Sequence, residues 1–243
     1  PKARSLTHTA VVGVLAHGVW LSCACLALEA SVPAGIVALV VALQPIVTGA
    51  VSGWAVGERT GLLQWLGLLV GFGGVGLTVA ARLQVGDGVA PWAYAIPFGS
   101  VIAITVASLL QRRRELSTGD APPPPLAVTL FVQALATTLV LALPAIFLEG
   151  LVLEWSLPFG ASLAWLILGV SLGAYGLMWQ LLARMSATRV ASLFYLGPPV
   201  TMAMAWLAFG EVPLASDYAG LVVVMVGVVM VQMGRNPESA GAR

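Results

Sequence analysis

Charge is what this sequence has least of. Asp, Glu, Lys and Arg make up 9% of its 243 residues, against about 25% in a soluble globular domain. Hydrophobic residues make up 59%, and the mean hydropathy is +0.98. These values exclude an ordinary soluble domain and predict a polytopic, all-α membrane protein. The net charge of +1 points to no nucleic-acid partner, because in a membrane protein the position of each charge matters more than the sum. Cysteine is also scarce. Cys23 and Cys25, two apart in an apolar run, face different sides of a helix and are not placed to bridge, so both read as small packing or lipid-facing residues. The sequence has no Ser-His-Asp set, no metal-spaced cluster of His, Cys and acids, and no phosphate-cradling glycine loop. Gly71, Gly73, Gly74 and Gly76 lie inside an apolar run, where small residues let helices approach. Neither enzyme activity nor a cofactor or metal is expected.

What is present is length of apolar chain. Eight runs, near 8–28, 32–55, 62–81, 91–111, 126–148, 160–183, 187–209 and 214–234, each reach the roughly 20 residues needed to cross a bilayer as a helix. The loops fix their direction, since basic residues favour the cytoplasmic side. With the N-terminus inside, Lys2, Arg4, Arg59, Arg112, Arg113, Arg114, Arg184, Arg189, Arg235 and Arg243 fall on the cytoplasmic side. Only Arg82 falls outside, among Glu29, Asp87, Glu149, Glu154, Glu211 and Asp217. The prediction is a multi-pass plasma (inner) membrane protein with both ends cytoplasmic. The connection 111–125, QRRRELSTGDAPPPP, reads as a basic topological anchor followed by a stiff polyproline spacer. Residues 235–243 read as a polar cytoplasmic tail.

One stretch occurs twice. Residues 34–75 and 187–228 align without a gap at an offset of 153, with identities at roughly sixteen of the forty-two positions. Low complexity would match Val, Leu and Ala, but not Pro45/Pro198, Thr48/Thr201, Gly57/Gly210, Glu58/Glu211, Gly67/Gly220 and Gly74/Gly227. The same offset lays the sixth, seventh and eighth runs on the first three. The second copy (91–234) thus has five spans and the first (1–82) only its last three. A five-span unit is odd-numbered, so consecutive copies enter the membrane in opposite orientations. Glu58 is expected cytoplasmic and Glu211 external, in an inverted-topology repeat. Proline-interrupted apolar segments at matching places in two halves point to the binding region of a secondary transporter.

The paired pattern of Pro45, Gly57, Glu58, Gly67 and Gly74 with Pro198, Gly210, Glu211, Gly220 and Gly227 resembles the two EamA units of the drug/metabolite transporter superfamily. That resemblance implies ten helices in two inverted five-helix repeats, and export of small metabolites or drug-like solutes by alternating access. Measured against it, the sequence lacks the first two helices, and a groove is expected where their equivalents would pack.

Candidate site residues follow from depth and polarity. Pro45, Pro198 and Pro199 sit mid-span, where proline frees carbonyls one turn back, near Val41 and near Phe194 and Tyr195. These are hinge or kink candidates. Gln44, Thr48 and Ser52 form a polar stripe at spacings of four; Thr129, Gln133 and Thr137 form another, and Thr105 and Ser108 a third. Such stripes face either other helices or a pore. His17, Trp20, Gln44, Thr48, Tyr175, Trp179, Tyr195 and Thr201 are the candidates for a substrate cavity between the repeats. Each has a packing role as its alternative. His17 is a titratable residue inside a span, which makes it the candidate for a coupling proton. Gly57 and Gly210 suit left-handed helix ends, with Glu58 and Glu211 locking the turns. Trp65, Trp92, Tyr94, Trp155 and Tyr218 read as interfacial belt residues. Two other readings stand beside transport, a non-transporting membrane scaffold and an intramembrane hydrolase using Ser52 and His17. The expected partners are a small-molecule substrate and the lipid bilayer.

Overall fold

A computed structural model describes residues 2–80, 89–117, 125–148, 155–197, 200, 203–204, 206–207, 210 and 215–234. Pro198, Pro199, Thr201, Glu211, most of the polyproline spacer and the tail 235–243 lie outside the described residues. The described residues form α1 (Ser5–Glu29), α2 (Ala34–Val56), α3 (Leu62–Ala80), α4 (Pro91–Ser117), α5 (Leu126–Phe147), α6 (Leu157–Arg184) and α8 (Ala215–Met233). Between the last two lies the short α7 (Ala187–Ser192). The first seven named are long and apolar enough to cross a membrane. The expected run 187–209 is described in part, as α7, a tight turn Leu193–Leu196 and further helical residues.

One boundary differs from expectation. α4 continues through Ser117 rather than ending at 111. Arg and Glu are good helix formers, and two of these arginines are tied to neighbouring helices. Arg114 donates to Thr9 Oγ1 at 2.7 Å and to Ser5 Oγ at 2.5 Å, so the basic anchor is a helix end.

The two copies deviate from regular helix at matching places. Wide π-helical turns occupy Val14–Val19 and Leu166–Ala174. Ahead of Pro45 the helix breaks, with Ala34–Val41 and Gln44–Val56 as separate segments. The tight turn Leu193–Leu196 occupies the equivalent place in the second copy. Gly57 and Gly210 both have positive φ, 75° and 71°, a conformation that glycine adopts without a Cβ penalty.

α3 and α8 cross antiparallel and pack along their lengths. A Cβ placed on Gly67 would stand 2.7 Å from the Gly227 carbonyl, and one on Gly220 would stand 2.8 Å from the Gly74 carbonyl. The offset of 153 turns the first contact into the second, so the pair lies on a two-fold relation between the copies. Leu68, Val75, Val224, Val228 and Val231 fill the space beside these glycines. Without a hydrophobic drive in lipid, such close backbone packing is what holds the helices together.

The relation fails at one place. α1 packs against α4 and α5, and α5 approaches so closely that a Cβ on Gly13 would stand 2.5 Å from Gln133 Cα. Its equivalent, α6, has no buried residue from Leu157 through Ala174. Trp165 and Leu168 there are 57% and 66% exposed.

Candidate functional site

Side chains of the second copy donate to carbonyls in and just beyond the wide turn of α1. Tyr175 of α6 donates its hydroxyl to the Ala16 carbonyl, and Ser100 of α4 donates to the Trp20 carbonyl at 2.7 Å. Buried backbone acceptors require such partners in a membrane interior. The turn carries His17, whose ring lies 3.7 Å from that of Tyr175 between centroids. His17 Nε2 faces Gln133 Oε1 of α5 at 3.4 Å, and the Trp179 indole donates to the same oxygen at 2.9 Å. Three helices thus converge on one amide.

A second polar chain runs from α2 to α4. Gln44 donates through Nε2 to Thr48 Oγ1 at 3.2 Å, and Thr48 shares a hydrogen bond of 3.3 Å with Thr105. Gln44 and Thr48 are 2% and 0% exposed, so the stripe faces protein and not lipid. An apolar core of Val12, Ala16, Ile104, Ala107, Trp179 and Val190 adjoins the first polar group through Trp179, and α1, α4, α6 and α7 contribute to it. Val51 and Val56 of α2, with Trp20 and Tyr175, pack against it.

At one end of the bundle Glu58 ties the copies together. Its Oε1 pairs with Arg112 Nε of α4 at 2.6 Å, and its Oε2 accepts from the Ala187 backbone N–H at the start of α7, at 2.9 Å. Arg112 also donates to the Leu182 carbonyl at 2.9 Å. Ser52 donates to the Glu58 carbonyl at 2.9 Å and stands 3.4 Å from Thr188 Oγ1. Arg189 closes the same end by donating to the Gly234 carbonyl, one residue past α8, at 2.6 Å. The glutamate of the Gly-Glu pair therefore does three things. It follows the left-handed turn, pairs with a largely buried guanidinium and caps a helix N-terminus.

Residues 92–233 match the EamA-like transporter family. The chain belongs to that family. Among proteins similar to this EamA-like transporter is the uncharacterized inner membrane transporter YedA of Escherichia coli (strain K12). It is 25% identical over 244 residues, covering 97% of this chain and 74% of that protein. A probable terminal-alkyne amino-acid exporter of Streptantibioticus cattleyicolor is 26% identical over 250 residues, covering 99% of this chain and 78% of the other. A probable amino-acid metabolite efflux pump of Salmonella typhimurium (strain LT2) is 26% identical over 209 residues, with 83% and 68% covered. A solved crystal structure superposes with a TM-score of 0.74 at 23% identity, covering 96% of this chain and 77% of that one, a likeness of fold.

Within this EamA-like transporter, His17, Tyr175 and Trp179 are brought together, and Gln44 and Thr48 share a chain of hydrogen bonds. Trp20 packs against the apolar core. Tyr195 stands apart, 1% exposed in the α3–α8 cluster and pressed against Gly71, where a Cβ would stand 2.6 Å from its ring. Pro45 opens the second segment of α2. Cys23 and Cys25 are free. Of the belt candidates, Trp92, Trp155 and Tyr218 are exposed, while Trp65 and Tyr94 pack against core clusters. Ser52 bonds within the Glu58 turn while His17 faces Gln133, so the hydrolase pairing is not among their hydrogen bonds. Sequence reasoning placed Gln133 on a polar stripe but not in the site, and it missed Ser100. The signal for Gln133 was its depth, level with the polar residue of the neighbouring span.

Proposed function

We propose that this protein exports a small polar or amphipathic solute across the inner membrane by alternating access of two inverted repeats, with both ends cytoplasmic. The observation that carries the reading is the convergence of α1 and α2 from one copy and α4, α6 and α7 from the other on a single core flanked by buried polar residues at mid-span. A solute lodged there would meet His17, Trp20, Gln44, Thr48, Tyr175 and Trp179, and rocking of one copy against the other about the α3–α8 contact would expose it to either side. Three further observations support the same reading. The two-fold glycine contacts supply a pivot, the breaks ahead of Pro45 and Pro198 supply matched hinges, and relatives of similar sequence carry exporter and efflux-pump names.

The test is transport by the protein reconstituted in liposomes against a panel of amino acids, nucleosides and cationic amphiphiles. Flux of at least one solute above that of empty liposomes is expected. Flux of none would leave the scaffold reading in its place. His17 is the proposed carrier of a coupling proton, because it is a titratable group at the junction of three helices from both copies.

A further inference from the structure

The amide of Gln133 is buried and half satisfied. Trp179 can only donate, so its 2.9 Å bond identifies the amide atom facing it as Oε1 and fixes which way the group points. His17 Nε2 lies against the same oxygen. The other atom, Nε2, carries two N–H donors and has no hydrogen-bond partner among the described residues, although Gln133 is 0% exposed. One helical turn along the same face of α5, the hydroxyl of Thr137, 9% exposed, is also without a partner. Both side chains pack against glycines of α1. Gly13 lies directly against Gln133, and a Cβ on Gly18 would stand 3.4 Å from Thr137 Cγ2. Buried donors left unmade are costly and uncommon. Two such donors lie a turn apart on one face of α5, and Gln133 adjoins His17 and Trp179.

We infer that Gln133 and Thr137 recognise a carboxylate on the transported solute, with the adjoining rings holding its apolar body. Three hydrogen-bond donors, two on Nε2 and one on Thr137, match an acceptor-only group with two oxygens. A desolvated anion gains from donors positioned in advance, and a solute lacking the anion leaves them unmade. The inference rests on the transporter reading and adds the residue that selects the solute.

The experiment uses the purified protein in lipid nanodiscs and radiolabelled benzoate as probe, with benzyl alcohol as the uncharged competitor. Benzoate is expected to bind saturably, without displacement by equimolar benzyl alcohol. Gln133→Glu keeps an oxygen for Trp179 and His17 but replaces both free donors by an acceptor, and it should weaken binding at least about tenfold. Thr137→Val keeps the shape, guards against a folding defect in the first variant, and should weaken binding about fivefold. No benzoate binding by the unaltered protein, or affinity unchanged in both variants, would overturn the inference. Panel flux persisting alongside such a result would leave the transporter reading standing, whereas benzoate binding without flux of any panel solute would sink transport and leave the site.

Discussion

Glu58 and Ala187 lie 129 positions apart in sequence and are joined by a single hydrogen bond of 2.9 Å. The bond links the end of α2 in one copy to the start of α7 in the other, and Arg112 pins the same carboxylate from α4. The Gly-Glu pair therefore acts between the repeats as well as within its own turn.

Glu58→Gln should destabilise the protein by about 3 kcal/mol, because it leaves Arg112 largely buried without its counter-charge. Thermal unfolding in detergent reads this directly. An unfolding temperature equal to that of the unaltered protein would mean the ion pair contributes nothing.

The glycines of α3 divide sharply by what surrounds them. A Cβ on Gly67 would meet the Gly227 carbonyl at 2.7 Å, whereas at Gly73 nothing lies within 4 Å. Gly67→Ala should cost about 1–3 kcal/mol through forced separation of α3 and α8. Gly73→Ala should be neutral or stabilising by about 0.5–1 kcal/mol. Parallel unfolding curves of the two variants check the contrast, and equal losses would contradict the close crossing.

If His17 carries the coupling proton, flux should depend on pH between about 5 and 8, where a histidine changes charge. His17→Gln should flatten that dependence while retaining a hydrogen-bonding group beside Gln133. Initial rates across the pH range decide it, and an unchanged profile in the variant removes the coupling role.

The bare stretch of α6 makes a prediction about its surroundings. Leu168→Cys, at a position 66% exposed, should react readily with a lipid-soluble maleimide, while Met178→Cys, at a position 7% exposed, should not. Equal labelling of the two positions would contradict the exposed face of α6.

Composition and pattern by themselves determined that the chain is helical and crosses a membrane repeatedly, and they carry a stretch that recurs at an offset of 153. Those features follow from local requirements: a span needs about 20 apolar residues, a helix end such as Gly57 needs a left-handed residue, and loop arginines need the aqueous side. The left-handed turns at Gly57 and Gly210 were legible for the same reason, since turn geometry is written in adjacent residues. Only the tertiary structure decided which polar side chains meet. Nothing in the spacing of His17, Gln133 and Trp179 places them on one amide, because three separate helices must be rotated and set at one depth before the contact exists. Tyr195 shows the converse. Its depth matched that of the other candidates, yet the glycine-lined surface of α3 takes its ring into a cluster separate from that of Trp179. Helix rotation is set by packing between segments distant in sequence, and no single segment carries it.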